Sequence, residues 1–144
     1  MTVKYKPLTE EQKIRYRVPE TLRKYFLGPE EYRVWICKKA SSLRRMDSMR
    51  GTFGHPLKSV YKKMLIELFR EWNGYCYYTN IPLELYLFNT LTNEQQIRQI
   101  SIDHVVEDGK LIFRVCSMKY NNIKETKPGV EQFLEYCKTK ISLN

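Results

Sequence analysis

From Leu57 onward the apolar side chains fall on one stripe at helical period: Leu57, Val60, Tyr61, Met64, Leu65, Leu68, Phe69 and Trp72. Gly74 stands where such a helix should stop, so a core-facing helix is predicted over about 57–73. A second helical pattern, about 30–50, follows Gly28-Pro29 and carries Tyr32, Trp35, Ile36, Ala40 and Leu43 on its apolar face. Between the two, Gly51-Thr52-Phe53-Gly54-His55-Pro56 is a break. Near the N-terminus, Thr9-Glu10-Glu11-Gln12 has the spacing of a capping box and predicts a short helix, and Pro19 is suited to start another. The first half therefore reads as helical throughout.

After Gly74 the texture changes. Tyr75-Cys76-Tyr77-Tyr78-Thr79 is β-prone and ends at the turn signal Asn80-Ile81-Pro82. Residues 83–99 read as a loop with a short helix over Asn93–Gln99. Ile100 to Val106 then reads as a strand, Asp108-Gly109 as a hairpin turn, and Leu111 to Cys116 as the returning strand. Ser117 is placed to cap a helix over 118–125, which Lys127-Pro128-Gly129 ends. A last amphipathic helix carries Val130, Phe133, Leu134, Cys137 and Ile141. The expected class is α+β, with a helical part over 1–71 and a strand–turn–strand–helix part with a helical tail over 72–144.

Charge sharpens this division. The net charge is +9, and residues 1–72 hold 17 Lys+Arg against 8 Asp+Glu, whereas residues 73–144 hold 8 of each. A basic half joined to a neutral one suggests a polyanion-gripping segment beside a part with another task. Lys38, Lys39, Arg44, Arg45 and Arg50 concentrate that charge on the 30–50 helix, where they would meet phosphates without reading sequence. Trp35 and Tyr32 are better suited to packing than to base stacking. Cys37, Cys76, Cys116 and Cys137 lie far apart and form no C-x-x-C pair, so buried thiols are expected and structural zinc is not. No apolar run is long enough to span a bilayer, and Met1–Gln12 lacks the apolar core of a signal peptide. A cytoplasmic protein without a membrane partner is the expectation.

Two histidines exist, His55 and His104. His55 sits in the break without a neighbouring carboxylate and reads as an ordinary loop residue. His104 follows Asp103 near the end of a strand that runs into a hairpin. Neighbouring strand residues point to opposite faces, so the pair can serve one site only where the strand ends or bends. There, one would hold a metal ion while the other faces water.

The stretch Ser101-Ile102-Asp103-His104 through Cys116-Ser117-Met118-Lys119-Tyr120-Asn121-Asn122-Ile123-Lys124 resembles the HNH (ββα-metal) endonucleases, small phage-type members above all. Their pattern is a strand ending in Asp-His, a second strand, and a helix bearing Asn-x-x-Lys, matched here by Asn121 and Lys124. Gly74-Tyr75-Cys76-Tyr77-Tyr78-Thr79-Asn80-Ile81-Pro82-Leu83 resembles the lead-in of such proteins, with Asn80 in place of a glycine. The resemblance covers about residues 72–126. It departs from the family at Ile112, near where the central Asn of the motif would stand, and in lacking the zinc-binding cysteine pairs of some members.

The resemblance implies a metal-dependent endonuclease acting on double-stranded DNA. His104 would be the general base, and Asp103 and Asn121 would give oxygen ligands to one Mg²⁺ or Mn²⁺. The products would carry 5′-phosphate and 3′-hydroxyl ends. Lys124 lies one helical turn beyond Asn121 and would meet a backbone phosphate, with Arg114 and Lys119 as weaker candidates. Glu107 and Asp108 read as solvated turn carboxylates, and Asn122 is the alternative amide if the register shifts by one. One site cuts one strand, so double-strand cleavage would need a homodimer or two encounters. A non-catalytic basic nucleic-acid-binding protein and a zinc-stabilised interaction module remain as alternatives.

Overall fold

The Thr9 hydroxyl accepts from the Gln12 backbone N–H at 3.2 Å, and the Gln12 side chain accepts from the Thr9 N–H at 3.0 Å. This reciprocal capping box opens α1 (Glu10–Arg15). The computed structural model describes residues 6–50, 57–87, 90–124, 131–135 and 137, the side chains at 48–50 excepted. Within that range the chain is a mixture of helices and one two-stranded antiparallel sheet, an α+β protein. It divides into two compact units, Met1–Glu71 and Trp72–Asn144. Among the described residues, no helix is long and apolar enough to cross a membrane. His55, Lys127-Pro128-Gly129, Val130 and Ile141 lie outside the described residues.

The first unit is built on α2 (Pro29–Arg50) and α3 (Lys58–Glu71), which pack on each other. Tyr32, Ile36, Ala40 and Leu43 of α2 are buried, as the sequence period requires, together with Leu22 and Phe26 ahead of the helix. Trp35 sits at the margin, its ring 5.2 Å from Phe69 and 5.4 Å from Phe26. Pro19 does not lie inside a helix: it caps a single 3₁₀ turn, Glu20–Leu22. The stripe on α3 is also narrower than its period suggests. Leu57 is 65% and Val60 45% exposed, while the buried set is Tyr61, Leu65, Ile66 and Phe69. Leu57 precedes the helix and Trp72 follows it, so neither is carried on the face that meets α2. Beneath that face, Asp47 accepts a hydrogen bond from the Tyr61 hydroxyl at 2.6 Å, which compensates a buried carboxylate.

The second unit opens with a fold-back where a strand was expected. Tyr75–Thr79 makes only an isolated bridge, Tyr75 to Pro82. Asn80 takes the left-handed conformation (φ 58°) and turns the chain, and the Cys76 N–H then donates to the Ile81 carbonyl at 2.8 Å. The Tyr77 N–H ties the loop to the Val115 carbonyl at 2.9 Å. A second capping box, on Thr92 and Gln95, opens α4 (Asn93–Arg98). The hairpin follows: β1 (Ile100–Glu107) pairs with β2 (Lys110–Ser117), Asp103 opposite Arg114 and His104 opposite Phe113. Asp108 and Gly109 both have positive φ, 51° and 75°, the two-residue turn that suits the twist of paired strands. Ser117 caps α5 (Met118–Ile123) by accepting from the Tyr120 N–H at 3.3 Å. Residues 131–135 and 137 are helical, with Phe133 and Cys137 buried.

Candidate active site

Alternation along β1 decides what the site contains. Ser101 and Asp103 share one face with Arg114 and Cys116 of β2, and α5 lies against β1 and β2. On that face the Asp103 carboxylate is 3% exposed. Its Oδ2 accepts from the Tyr78 hydroxyl and its Oδ1 from the Lys124 ammonium. Asn121 reaches the same face: its Nδ2 donates to the Ser101 hydroxyl at 3.0 Å and to the Ile102 carbonyl at 3.1 Å. The helix residue is thereby locked to the strand one residue before Asp103. Asn122 is exposed, so the register falls on Asn121.

Aromatic rings frame this cluster. Tyr78 stacks on Tyr120 with centroids 4.4 Å apart, and Tyr77 stands edge-on to Tyr78 at 5.1 Å. Arg114 lies over the Tyr77 ring at 4.3 Å and pairs with Glu107. Burial, and then the hydrogen bond to Asp103, push the Tyr78 phenol above its ordinary value, with Arg114 opposing. Burial also raises the Cys116 thiol, with Cys76 and Asp103 adding to it. Tyr78 had no signal in the sequence: nothing in a β-prone run distinguishes the tyrosine that meets a carboxylate 25 residues later.

His104 is turned the other way. It is half-buried, its ring 5.2 Å from Phe113, its cross-strand partner. The strand does not end near it but continues regularly to Glu107, so the break that would bring both side chains to one side is absent. The other candidate phosphate contacts have these surroundings. Lys124 is the ion partner of Asp103. Arg114 is engaged by Glu107 and Tyr77. In the first unit, Lys38, Arg44 and Arg45 are exposed, while Lys39 is half-buried and burial pulls its ammonium below the usual lysine value. Lys119 is half-buried on α5.

For a metal ion the donor chemistry is favourable and the occupancy is contested. A carboxylate and an amide from adjoining elements are the hard oxygen donors that Mg²⁺ or Mn²⁺ takes. The position on Asp103 is held by a cation already, the Lys124 ammonium. A divalent ion would have to displace that ammonium to reach Asp103. Among the described residues no group of three or more His, Cys, Asp or Glu side chains could hold a metal. Compared with protein-family models, with curated proteins and with solved structures, the chain matches none.

Proposed function

We propose that the chain is a metal-dependent endonuclease that hydrolyses DNA phosphodiester bonds, with β1, β2 and α5 as a ββα-metal core. The observation that carries the reading is the lock of Asn121 onto the Ile102 carbonyl, which holds α5 against the strand beside Asp103. In this reading Asp103 and the Asn121 amide oxygen hold one Mg²⁺ or Mn²⁺, and Lys124 swings from Asp103 toward the substrate. Held there, a divalent ion would supply Lewis acidity to the phosphoryl transfer. Tyr78 keeps Asp103 oriented from the opposite side of the carboxylate.

His104 takes the proton from the attacking water. Water oxygen bonds to phosphorus, the bond to the 3′ oxygen breaks, and that oxygen takes a proton from solvent, leaving 5′-phosphate and 3′-hydroxyl ends. Asp103 and His104 point to opposite faces, so they can meet one phosphodiester only along the edge of the strand. Among the described residues, β1 pairs with β2 on one side, and the single bridge from Glu84 on the other reaches only Gln99. Beyond that bridge the outer edge of β1 is where a sugar-phosphate strand would touch both residues.

A second reading is favoured by the ion pair itself. Asp103 is already neutralised by Lys124 and hydrogen-bonded by Tyr78, which is how a structural buried carboxylate is compensated. The chain would then be a non-catalytic nucleic-acid-binding protein. Supercoiled plasmid incubated with excess protein separates the two. The nuclease converts it to nicked or linear DNA in Mg²⁺ or Mn²⁺ and leaves it intact in EDTA; intact plasmid under every condition leaves only the second reading.

A further inference from the structure

A groove of about 440 Å³ runs along α2 in the first unit, bounded by Arg33, Lys38 and Arg45 of α2 and by Lys58 at the start of α3. Between these cations the lining is short: Val34, Cys37, Ser41 and Ser42. Four positive side chains therefore surround a channel whose walls offer hydroxyls and no carboxylate. Elsewhere, surface cations have internal counter-ions, such as Lys13 with Glu10, Arg23 with Glu20 and Arg114 with Glu107. Lys38, Arg45 and Lys58 enter no ion pair among the described residues. A second basic concavity, around Lys62, Lys63 and Arg70, contains Glu67 and a Val60–Ile66 wall, which makes it the poorer anion seat.

We infer that the α2 groove seats the phosphodiester backbone of duplex DNA. Arg33 to Arg45 spans about 18 Å along a helix rising ~1.5 Å per residue. Phosphates on one strand advance ~3.4 Å per base pair along the duplex axis and wind around it, so they stand farther apart along the strand and the stripe reaches only a few successive phosphates. The cations meet successive phosphates, and the Ser41 and Ser42 hydroxyls donate to phosphate oxygens at close approach because nothing longer stands between them. Nothing in the lining is shaped to read a base edge, so the groove binds without sequence preference. This rests on the nucleic-acid part of the function proposed above and replaces Lys39 and Arg44 as phosphate contacts by Arg33 and Lys58.

The groove carries its own reporter. Cys37 lies in its lining and is half-buried, while Cys76, Cys116 and Cys137 are buried. In the full chain, with EDTA present to prevent cleavage, saturating duplex DNA should slow modification of Cys37 by a thiol reagent roughly tenfold, and high salt should restore the rate. Binding of a fluorescent duplex supplies the second readout. The variant Lys38→Gln/Arg45→Gln/Lys58→Gln should lower the slope of log affinity against log salt by about 3, near 0.9 for each phosphate that is no longer neutralised. A control with equal charge removed elsewhere in the unit, Lys13→Gln/Arg23→Gln/Lys24→Gln, should keep the slope.

Unchanged Cys37 modification at saturating duplex overturns the inference, as does an equal loss of slope in both variants. Protection by anionic phospholipid vesicles but not by DNA overturns it in favour of a membrane surface. The unsubstituted protein supplies the Cys37 readout, so a variant that fails to fold does not remove the test. Cleavage is scored separately: plasmid cutting without Cys37 protection sinks the groove alone, and protection without cutting sinks the nuclease alone.

Discussion

Asp103 carries its charge where solvent barely reaches, and two groups make that tolerable, the Lys124 ammonium and the Tyr78 hydroxyl. Removing the ammonium leaves a buried carboxylate with a single donor. Lys124→Met should therefore destabilise the second unit by about 3 kcal/mol in urea unfolding, the low end for a broken buried pair because Lys124 is itself partly exposed. If Asp103 and Asn121 hold a divalent ion, Mg²⁺ or Mn²⁺ should raise the melting temperature of Lys124→Met more than that of the wild type. Equal temperatures with and without metal in both proteins would count against the ion site. At this scale the sequence was partly legible. Asp103, Asn121 and Lys124 fall on one face because a strand and the following helix fix their spacing. The Lys124–Asp103 ion pair was not legible, because a motif does not say whether a lysine near a carboxylate meets it or the substrate. Tyr78 reaches Asp103 only through the fold-back at Asn80, and no local pattern encodes that contact.

The hairpin is the element that sets the register of the site. Asp108 and Gly109 both adopt positive φ, and a Cβ added at Gly109 would meet nothing within 4 Å. The cost of Gly109→Ala is thus conformational alone, about 1 kcal/mol, and should appear as a lower melting temperature of the second unit. Asp108→Gly should be tolerated or mildly stabilising at the same position of the turn. A Gly109→Ala protein as stable as wild type would show that the turn is not built this way. Elements with local determinants were the readable ones: the Thr9 capping box, the Asp108-Gly109 turn and the Ser117 cap each depend on a few adjacent residues. The run Tyr75–Thr79 misled because β-propensity reflects a surface to pair with, and here hydrogen bonds to Ile81 and Val115 fold the run back instead. The α3 stripe misled for a different reason: Leu57 and Trp72 fall outside the helix, and Val60, within its first turn, stays 45% exposed.

Across the whole molecule, buried acidic protons set an alkaline limit. Burial raises Cys137 to about 11 from its ordinary 9.0, and raises Cys116 further from the same 9.0. Burial, then the bond to Asp103, raises Tyr78 above its ordinary 10.0, and burial, then Asp47, does the same for Tyr61. The folded protein thus holds these protons to higher pH than the unfolded chain. The stability they contribute is complete below about pH 8, before unfolded thiols begin to ionise, and is lost as pH rises through about 11. Urea midpoints should fall between about pH 8 and pH 10.5, and a flat profile would contradict the burial of these groups. The charge asymmetry was legible from composition: the surplus lies in residues 1–72, and the groove of Arg33, Lys38, Arg45 and Lys58 gathers part of it.

The central claim is that His104 removes the proton from the water that cuts DNA. Single-turnover cleavage of a labelled duplex in Mg²⁺ by wild type and His104→Ala, with affinity for the same duplex measured in EDTA, tests it directly. The account predicts a fall in rate of about 10²-fold or more, the usual contribution of a general base, with affinity changed far less than the rate, because binding draws on the many cations of the first unit. Cleavage by His104→Ala at the wild-type rate would contradict it.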